Sequence, residues 1–276
     1  MNIKKLLLFC SFTFLLAGYS HSQVERIKLP SKPQQKYRPI ADRLYRAISL
    51  QAHYLIGTVH SHEQDSSLKL LTPSIHGEHG IRPNTGTLAG LCFLHRFGKY
   101  RSEWVGTEKK ALMQEYILPM MRYITSTYDS LPTSDGKCWN SQWQSAHWAY
   151  SLGRAAWFVW NDLPETLQQE VCRIVKAEAA RFYDQKPPHR YKYDTAAEEN
   201  AWNSQIFHIA SLLMPEDPNR ERWDTLFQEW VLSSYLTPSD IRSDSIVSGT
   251  PLSSFEGANL YDDYTLENHR IIHPDY

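Results

Sequence analysis

The chain has 276 residues, 42% of them hydrophobic and 13% aromatic, with 29 Lys and Arg against 30 Asp and Glu. That apolar content suffices for a packed core, and since Gly and Pro are not enriched it excludes a disordered or collagen-like chain. A formal charge of −1 gives no global pull on nucleic acid or anionic lipid, so a polyanion could be met only by a local cluster.

The first residues read as an address. Lys4 and Lys5 precede an apolar run from Leu6 to Leu16, and Ser20-His21-Ser22 offers a small-residue cleavage site before Gln23. We read 1–22 as a signal peptide, 23–38 as an irregular lead-in containing Pro30 and Pro33, and 39–276 as the folded domain. The run is too short to span a bilayer and no later stretch reaches that length, which predicts an exported protein, periplasmic or secreted, with no membrane insertion after signal removal. Loss of the two lysines leaves 27 basic against 30 acidic residues, a charge of −3. Cys10 leaves with the signal. Cys92, Cys138 and Cys172 are too dispersed for a zinc pattern or a disulfide framework, and a single disulfide stays open.

From Pro39 onward the apolar spacing is helical: Ile40–Ile56, Leu88–Phe97, Ala111–Tyr128, Trp143–Trp160, Leu167–Tyr183, Ala201–Leu213 and Trp223–Leu236. Few stretches alternate with period two, so little sheet is expected. Asn84 or Thr85 is placed to cap the second helix, and Pro164 to head the fifth. Thr195 with Glu198 forms a candidate capping box for the sixth, and Asp217-Pro218 opens the seventh.

A longer rhythm overlies these helices. Small-residue-rich or aromatic-rich helices begin near Asn84, Gln142 and Glu199, with a further start near Glu267, at steps of 58, 57 and 68 residues. More charged amphipathic helices lie between them, near Glu108, Pro164 and Pro218. A repeated hairpin with a buried inner helix and a half-polar outer one predicts an all-α protein, an incomplete (α/α) toroid or barrel. A closed ring of six at this step needs a longer chain, and Pro274 reads as the first residue of another inner helix, so a partial or truncated toroid is expected.

Three polar clusters fall near the starts of inner helices. In Trp139-Asn140-Ser141-Gln142-Trp143-Gln144, indoles that stack on sugar rings alternate with amides that bond hydroxyls, which suits a saccharide groove. Trp148, Trp157 and Trp160 read as core, whereas Trp139 and Trp143 fit either role. The second cluster is Glu198-Glu199-Asn200-Ala201-Trp202-Asn203, preceded by the basic loop Lys186 to Lys192 with His189 and Arg190, where a helix N-terminus and cations favour an anion. Glu198 reads as a cap and Arg190 and Lys192 as solvated. Asn200, just past the cap of an apolar helix, has no evident structural duty.

The third cluster runs from Asn259 to Tyr276 and holds Asn268, His269, Arg270, His273 and three phenols, the densest acid–base inventory in the chain. His269 and His273 are four apart, but Pro274 steers His273 from helical geometry, so a shared metal is not expected. His60, His62, His76 and His79 read as solvated loop histidines. Nucleophile-elbow, P-loop and dinucleotide-binding glycine motifs are missing.

The 198–203 segment, followed a hairpin later by Asn268-His269 and His273-Pro274, resembles the α/α-toroid portion of the heparinase II/III and alginate-lyase superfamily of polysaccharide lyases, over roughly Pro39 to Tyr276. In that family an antiparallel β-sandwich follows the toroid, and this chain has no room for it. The resemblance implies β-elimination on a uronic-acid polysaccharide at a site with no metal or cofactor, and an acidic polysaccharide or oligosaccharide as partner rather than nucleic acid. The reaction needs a neutraliser for the uronate carboxylate, a base for the C5 proton and an acid for the leaving oxygen. By resemblance Asn268 holds the carboxylate, His269 acts as neutraliser or base, and Asn200 and Trp202 line a subsite. Trp139, Trp143, Gln144, Arg190 and His273 complete the candidate groove. The family's catalytic Tyr lies well downstream of the Asn-His pair, and Tyr276 is the phenol available here. Arg270 stands where relatives carry Gly. Two other readings fit the same architecture: a glycoside hydrolase pairing Glu199 with Asp262 or Asp263, and an inactive carbohydrate-binding remnant.

Overall fold

The computed structural model describes Val24 and residues 37–72, 77–129, 138–190 and 192–273. The expected signal peptide, nearly all of the lead-in, Pro274 and Tyr276 lie outside the described residues. Helices α1 (Arg38–Thr58), α2 (Glu78–Arg96), α3 (Ser102–Val105), α4 (Lys109–Ala111), α5 (Leu118–Ser126), α6 (Ser145–Phe158), α7 (Glu165–Ala180), α8 (Ala197–Leu213), α9 (Arg220–Tyr235) and α10 (Pro238–Ile241) make up most of the described chain. The all-α expectation holds at that level. Among the described residues six short strands form three antiparallel hairpins: β1 (His60–Ser61) with β2 (Lys69–Leu70), β3 (Ile246–Val247) with β4 (Thr250–Pro251), and β5 (Leu266–Asn268) with β6 (Ile271–His273).

Helices α2, α6 and α8 form a row in which each packs on the next, while α5, α7 and α9 pack against α2, α6 and α8 respectively. The small and apolar residues Ala146, Ala149, Leu152, Ala155 and Ala156 put α6 at the centre of the core. Gly153 allows the close crossing, because a Cβ there would meet Ile209 Cγ1 at 2.9 Å and Val175 Cγ2 at 3.1 Å. On α7 the apolar stripe Leu167, Val171, Ile174 and Val175 faces inward, the amphipathic pattern read from the sequence.

Three starts differ from expectation. Helix α2 begins at Glu78, one and a half turns before Asn84. Pro83 is tolerated that early because its missing N–H removes a single intrahelical bond. Asn84 is therefore not a cap. Its buried amide bonds the Gly80 carbonyl and Thr72 Oγ1 and accepts from Leu71 N, tying the chain after β2 to α2. Between α4 and α5 the residues Leu112–Ile117 wind as a π-helix, with the Leu118 N–H bonding Met113 five residues back, directly before Pro119, which has no N–H to give.

The largest departure is near Glu267, where the repeat predicts a fourth inner helix. The chain instead forms the β5–β6 hairpin, closed by His269 and Arg270, both left-handed (φ 52° and 66°). That two-residue turn needs positive φ at both positions, the geometry Asn-Gly would normally supply. The hairpin is fastened to the segment before α8: Thr195 N bonds Glu267 O at 2.8 Å and Arg270 N bonds Tyr193 O at 2.7 Å. Leu266 packs with Ala197 and Leu260 beneath it.

A candidate aromatic and polar face at the heads of α6 and α8

Two residues of the first cluster, four apart in sequence, part company. Trp139 is 0% exposed, its indole N–H bonds the Ile124 carbonyl at 3.0 Å, and its ring meets Tyr128 and Trp148 edge-on. It is core and not groove. Trp143 is 58% exposed and meets Trp202 of α8 at 5.8 Å between ring centroids. Gln144 is buried at the head of α6, with its amide oxygen shielded and unpaired.

One turn along α6 stands His147, which the sequence reading passed over. Its ring lies 5.8 Å from Trp202 and stacks on Tyr150, and Nδ1 sits 3.1 Å from Gln205 Oε1. With that oxygen as acceptor, Nδ1 carries the proton and Nε2 keeps its lone pair. Burial, reinforced by the charges of Arg82 and Arg154, lowers the His147 pKa below its usual 6.5, against the Gln205 bond that raises it. The imidazole is therefore neutral at neutral pH. Arg154 lies over Tyr150 at 5.1 Å, and its Nε is buried without a partner. The signal was present in the sequence: Trp143, in the turn before α6, and His147, Tyr150 and Arg154 on it recur at four, three and four residues, and Glu198, Trp202 and Gln205 at four and three on α8.

At the head of α8 the structure joins the second and third clusters. Asn268 Nδ2 donates to Glu198 Oε2 at 3.1 Å, so Glu198 holds the hairpin and does not close a capping box. Thr195 Oγ1 accepts from Ala197 N. Among the described helices a reciprocal box is found at α10, between Thr237 and Asp240. His269 is 80% exposed on the hairpin turn, with Nδ1 at 3.9 Å from Asp194 Oδ1, and Arg190 also engages Asp194. Burial raises the Glu199 carboxyl above its usual range, helped by the nearby charges of Glu198 and Asp194 and opposed by Arg190, and its Oε2 is shielded without a hydrogen bond.

Asn200 proves to have a structural duty. It is 0% exposed, and its Nδ2 bonds Pro188 O at 2.8 Å and Ser233 Oγ at 2.9 Å, pinning the basic loop to α9. Asn259 completes that joint. Its Nδ2 donates to Pro188 O and Ser233 O, and its Oδ1 accepts from the backbone of Arg190 and Ala196. Both amide nitrogens are committed and both side chains are 0% exposed, with Asn200 Oδ1 buried without a partner among the described residues. Asp262 accepts from Ser239 N, and Asp263 from Thr265; both are turn-forming groups, and no hydrogen bond joins either to Glu199 among the described residues. His273 pairs with Leu266 across the hairpin backbone.

A second knot underlies the face. Glu178, 0% exposed, accepts from Tyr128 Oη at 2.8 Å, Ser145 Oγ at 2.7 Å and Ser141 N at 3.2 Å, and pairs with Arg181. This fixes the loop before α6 on α7, and with it the approach of Trp143. Cys92, Cys138 and Cys172 are free thiols, and burial pushes Cys172 up to about 12 and Cys92 up as well, so both are poor nucleophiles.

A cleft of about 730 Å³ lies elsewhere, between the β1–β2 hairpin, the end of α5 and the start of α7, and shares no residue with the aromatic face. The face is the better candidate for chemistry because the exposed indole of Trp143 meets the half-buried Trp202 beside an imidazole with a lowered pKa, and Glu199, a carboxyl with a raised one, stands at the head of the same helix as Trp202. Comparison of the chain with protein-family models, with curated proteins and with solved structures returned no match.

Proposed function

We propose that this chain is an exported polysaccharide lyase-like protein acting by β-elimination on a uronic-acid-containing polysaccharide, and that its row of helical hairpins is part of an (α/α) toroid. The observation that carries the reading is the face itself: a neutral imidazole, His147, set against the indoles of Trp143 and Trp202 with the guanidiniums of Arg82 and Arg154 close by. Indoles stack on sugar rings, guanidiniums draw in a carboxylate, and a neutral imidazole with a free Nε2 can take a proton from carbon acidified by that carboxylate. Asn268 and His269, carried to the head of α8 by the hairpin, are the pair that the resemblance places on the uronate.

The test is the ultraviolet absorbance of purified protein incubated with a panel of uronic-acid polysaccharides, since elimination leaves a conjugated double bond and hydrolysis does not. A rise that vanishes in His269→Ala or His147→Ala supports elimination at this face. Reducing ends released without absorbance overturn it in favour of hydrolysis. Binding without turnover, lost in Trp143→Ala, overturns it in favour of a carbohydrate-binding remnant.

A further inference from the structure

The cleft at the head of α7 belongs to none of the chemistry above. Its walls come from the segment after β1, from α5 and from the first turn of α7, with an apolar side made by Leu68, Pro164 and Leu167. Four features make it more than a surface groove. His62 is only 7% exposed, and its Nδ1 accepts from Gln64 N at 3.2 Å, so the proton sits on Nε2, which has no partner among the described residues. Arg122, exposed on the cleft, makes no ion pair with any described residue. The α7 N-terminus carries no side-chain cap. Leu167 N and Gln168 N both turn back to Pro164 O, which leaves the Glu165 and Thr166 amides without an intrahelical acceptor. The acidic groups are differently placed: Glu170 is taken by Arg173, and Asp65 keeps one oxygen on Ser67.

Donors, namely an imidazole N–H, a guanidinium and a helix N-terminus, therefore line one cleft together with the acceptor Asp65 and an apolar wall. Such a lining complements a small molecule that carries both a carboxylate and hydroxyls. We infer that this cleft is a binding site for a sugar acid of monosaccharide size, separate from the aromatic face and independent of whether that face is catalytic. The carboxylate bonds Arg122, His62 Nε2 and the first-turn amides of α7, and a hydroxyl donates to Asp65.

The experiment is an amide and indole shift titration of the folded protein with D-glucuronate, repeated with D-glucose and with acetate. Saturable shifts at Thr166 and Leu167 at about millimolar D-glucuronate are expected, with affinity about tenfold weaker in Arg122→Gln, the loss of one charge-assisted pair. Arg122 is exposed, so that variant keeps its fold, and His62→Phe, checked by circular dichroism, supplies a second readout. D-glucose and acetate, each with half of the recognised chemistry, should bind more weakly than D-glucuronate. Shifts confined to the indoles of Trp143 and Trp202, equal binding of D-glucose, or affinity unchanged in Arg122→Gln would each overturn the assignment.

Discussion

Trp139 and Trp143 sit four residues apart in one stretch of alternating indoles and amides, and they do opposite things. Around Trp139 the polar groups are spent except for the Trp148 indole N–H: the Trp139 N–H is on Ile124, and Glu178 gathers Tyr128, Ser141, Ser145 and Arg181. From Trp143 along α6 and at the head of α8 groups are left over: Gln144 Oε1, Arg154 Nε and Glu199 Oε2 are shielded without partners, and His147 Nε2 is unclaimed among the described residues. Saturation marks the part of the molecule that holds shape. Unpaired polar atoms beside exposed aromatics mark the part that meets something else.

The sharpest way to test that contrast is to truncate its most buried member. Trp139→Ala should cost about 3–5 kcal/mol, read as a fall in the urea midpoint, because it opens a large cavity and removes one of the two donors, with Thr127 Oγ1, on the Ile124 carbonyl. Glu178→Gln should cost about 2–4 kcal/mol in the same measurement, since it strands Arg181 and weakens the bonds from Tyr128 and Ser145. A near-neutral result for either would erase the distinction between the two regions.

The next effect is one of pH. The His147 pKa is lowered in the fold, so the unfolded chain binds the extra proton more readily. Stability contributed by keeping this ring neutral is complete above the ordinary imidazole value of 6.5 and is lost as pH falls through it toward the folded value. The drop in urea midpoint between neutral and mildly acid buffer should shrink in His147→Gln. At the hairpin, Arg270→Gly should stabilise by about 1 kcal/mol or less, because a side chain at φ 66° is strained and glycine is not. Smallest of all, Trp143→Ala should move stability by no more than about 0.5 kcal/mol while weakening saccharide binding. A large loss of stability there would make Trp143 a second Trp139.

The helices were legible because burial of an apolar stripe leaves a 3.6-residue period, and seven of the described helices follow the segments read from that period. What the period cannot report is which indole of a pair faces the core. That depends on distant partners: Glu178, thirty-nine residues beyond Trp139, holds Tyr128, whose ring packs edge-on against Trp139. The β5–β6 hairpin escaped because its turn is built from His269 and Arg270 and not from the Asn-Gly that announces such a turn. Asn200 looked idle because its partners, Pro188 and Ser233, lie on other elements. His147 was missed for a different reason: alone it carries no signal, and only the spacing it shares with Trp143, Tyr150 and Arg154 carries the meaning.

The fourfold grip of Asn259 has a consequence in time. Its bonds reach back 63 to 71 residues to the loop and head of α8, and 26 to α9, so they can close only after α8 and α9 have been made and brought together. Contacts of such separation form late in folding, when the entropy of the intervening chain has already been given up. A nascent chain would thus own its core and its aromatic stripes before the head of α8 has its final form. The same joint should open first under mild stress, before the helices give way, as early amide exchange at Arg190 and Ala196.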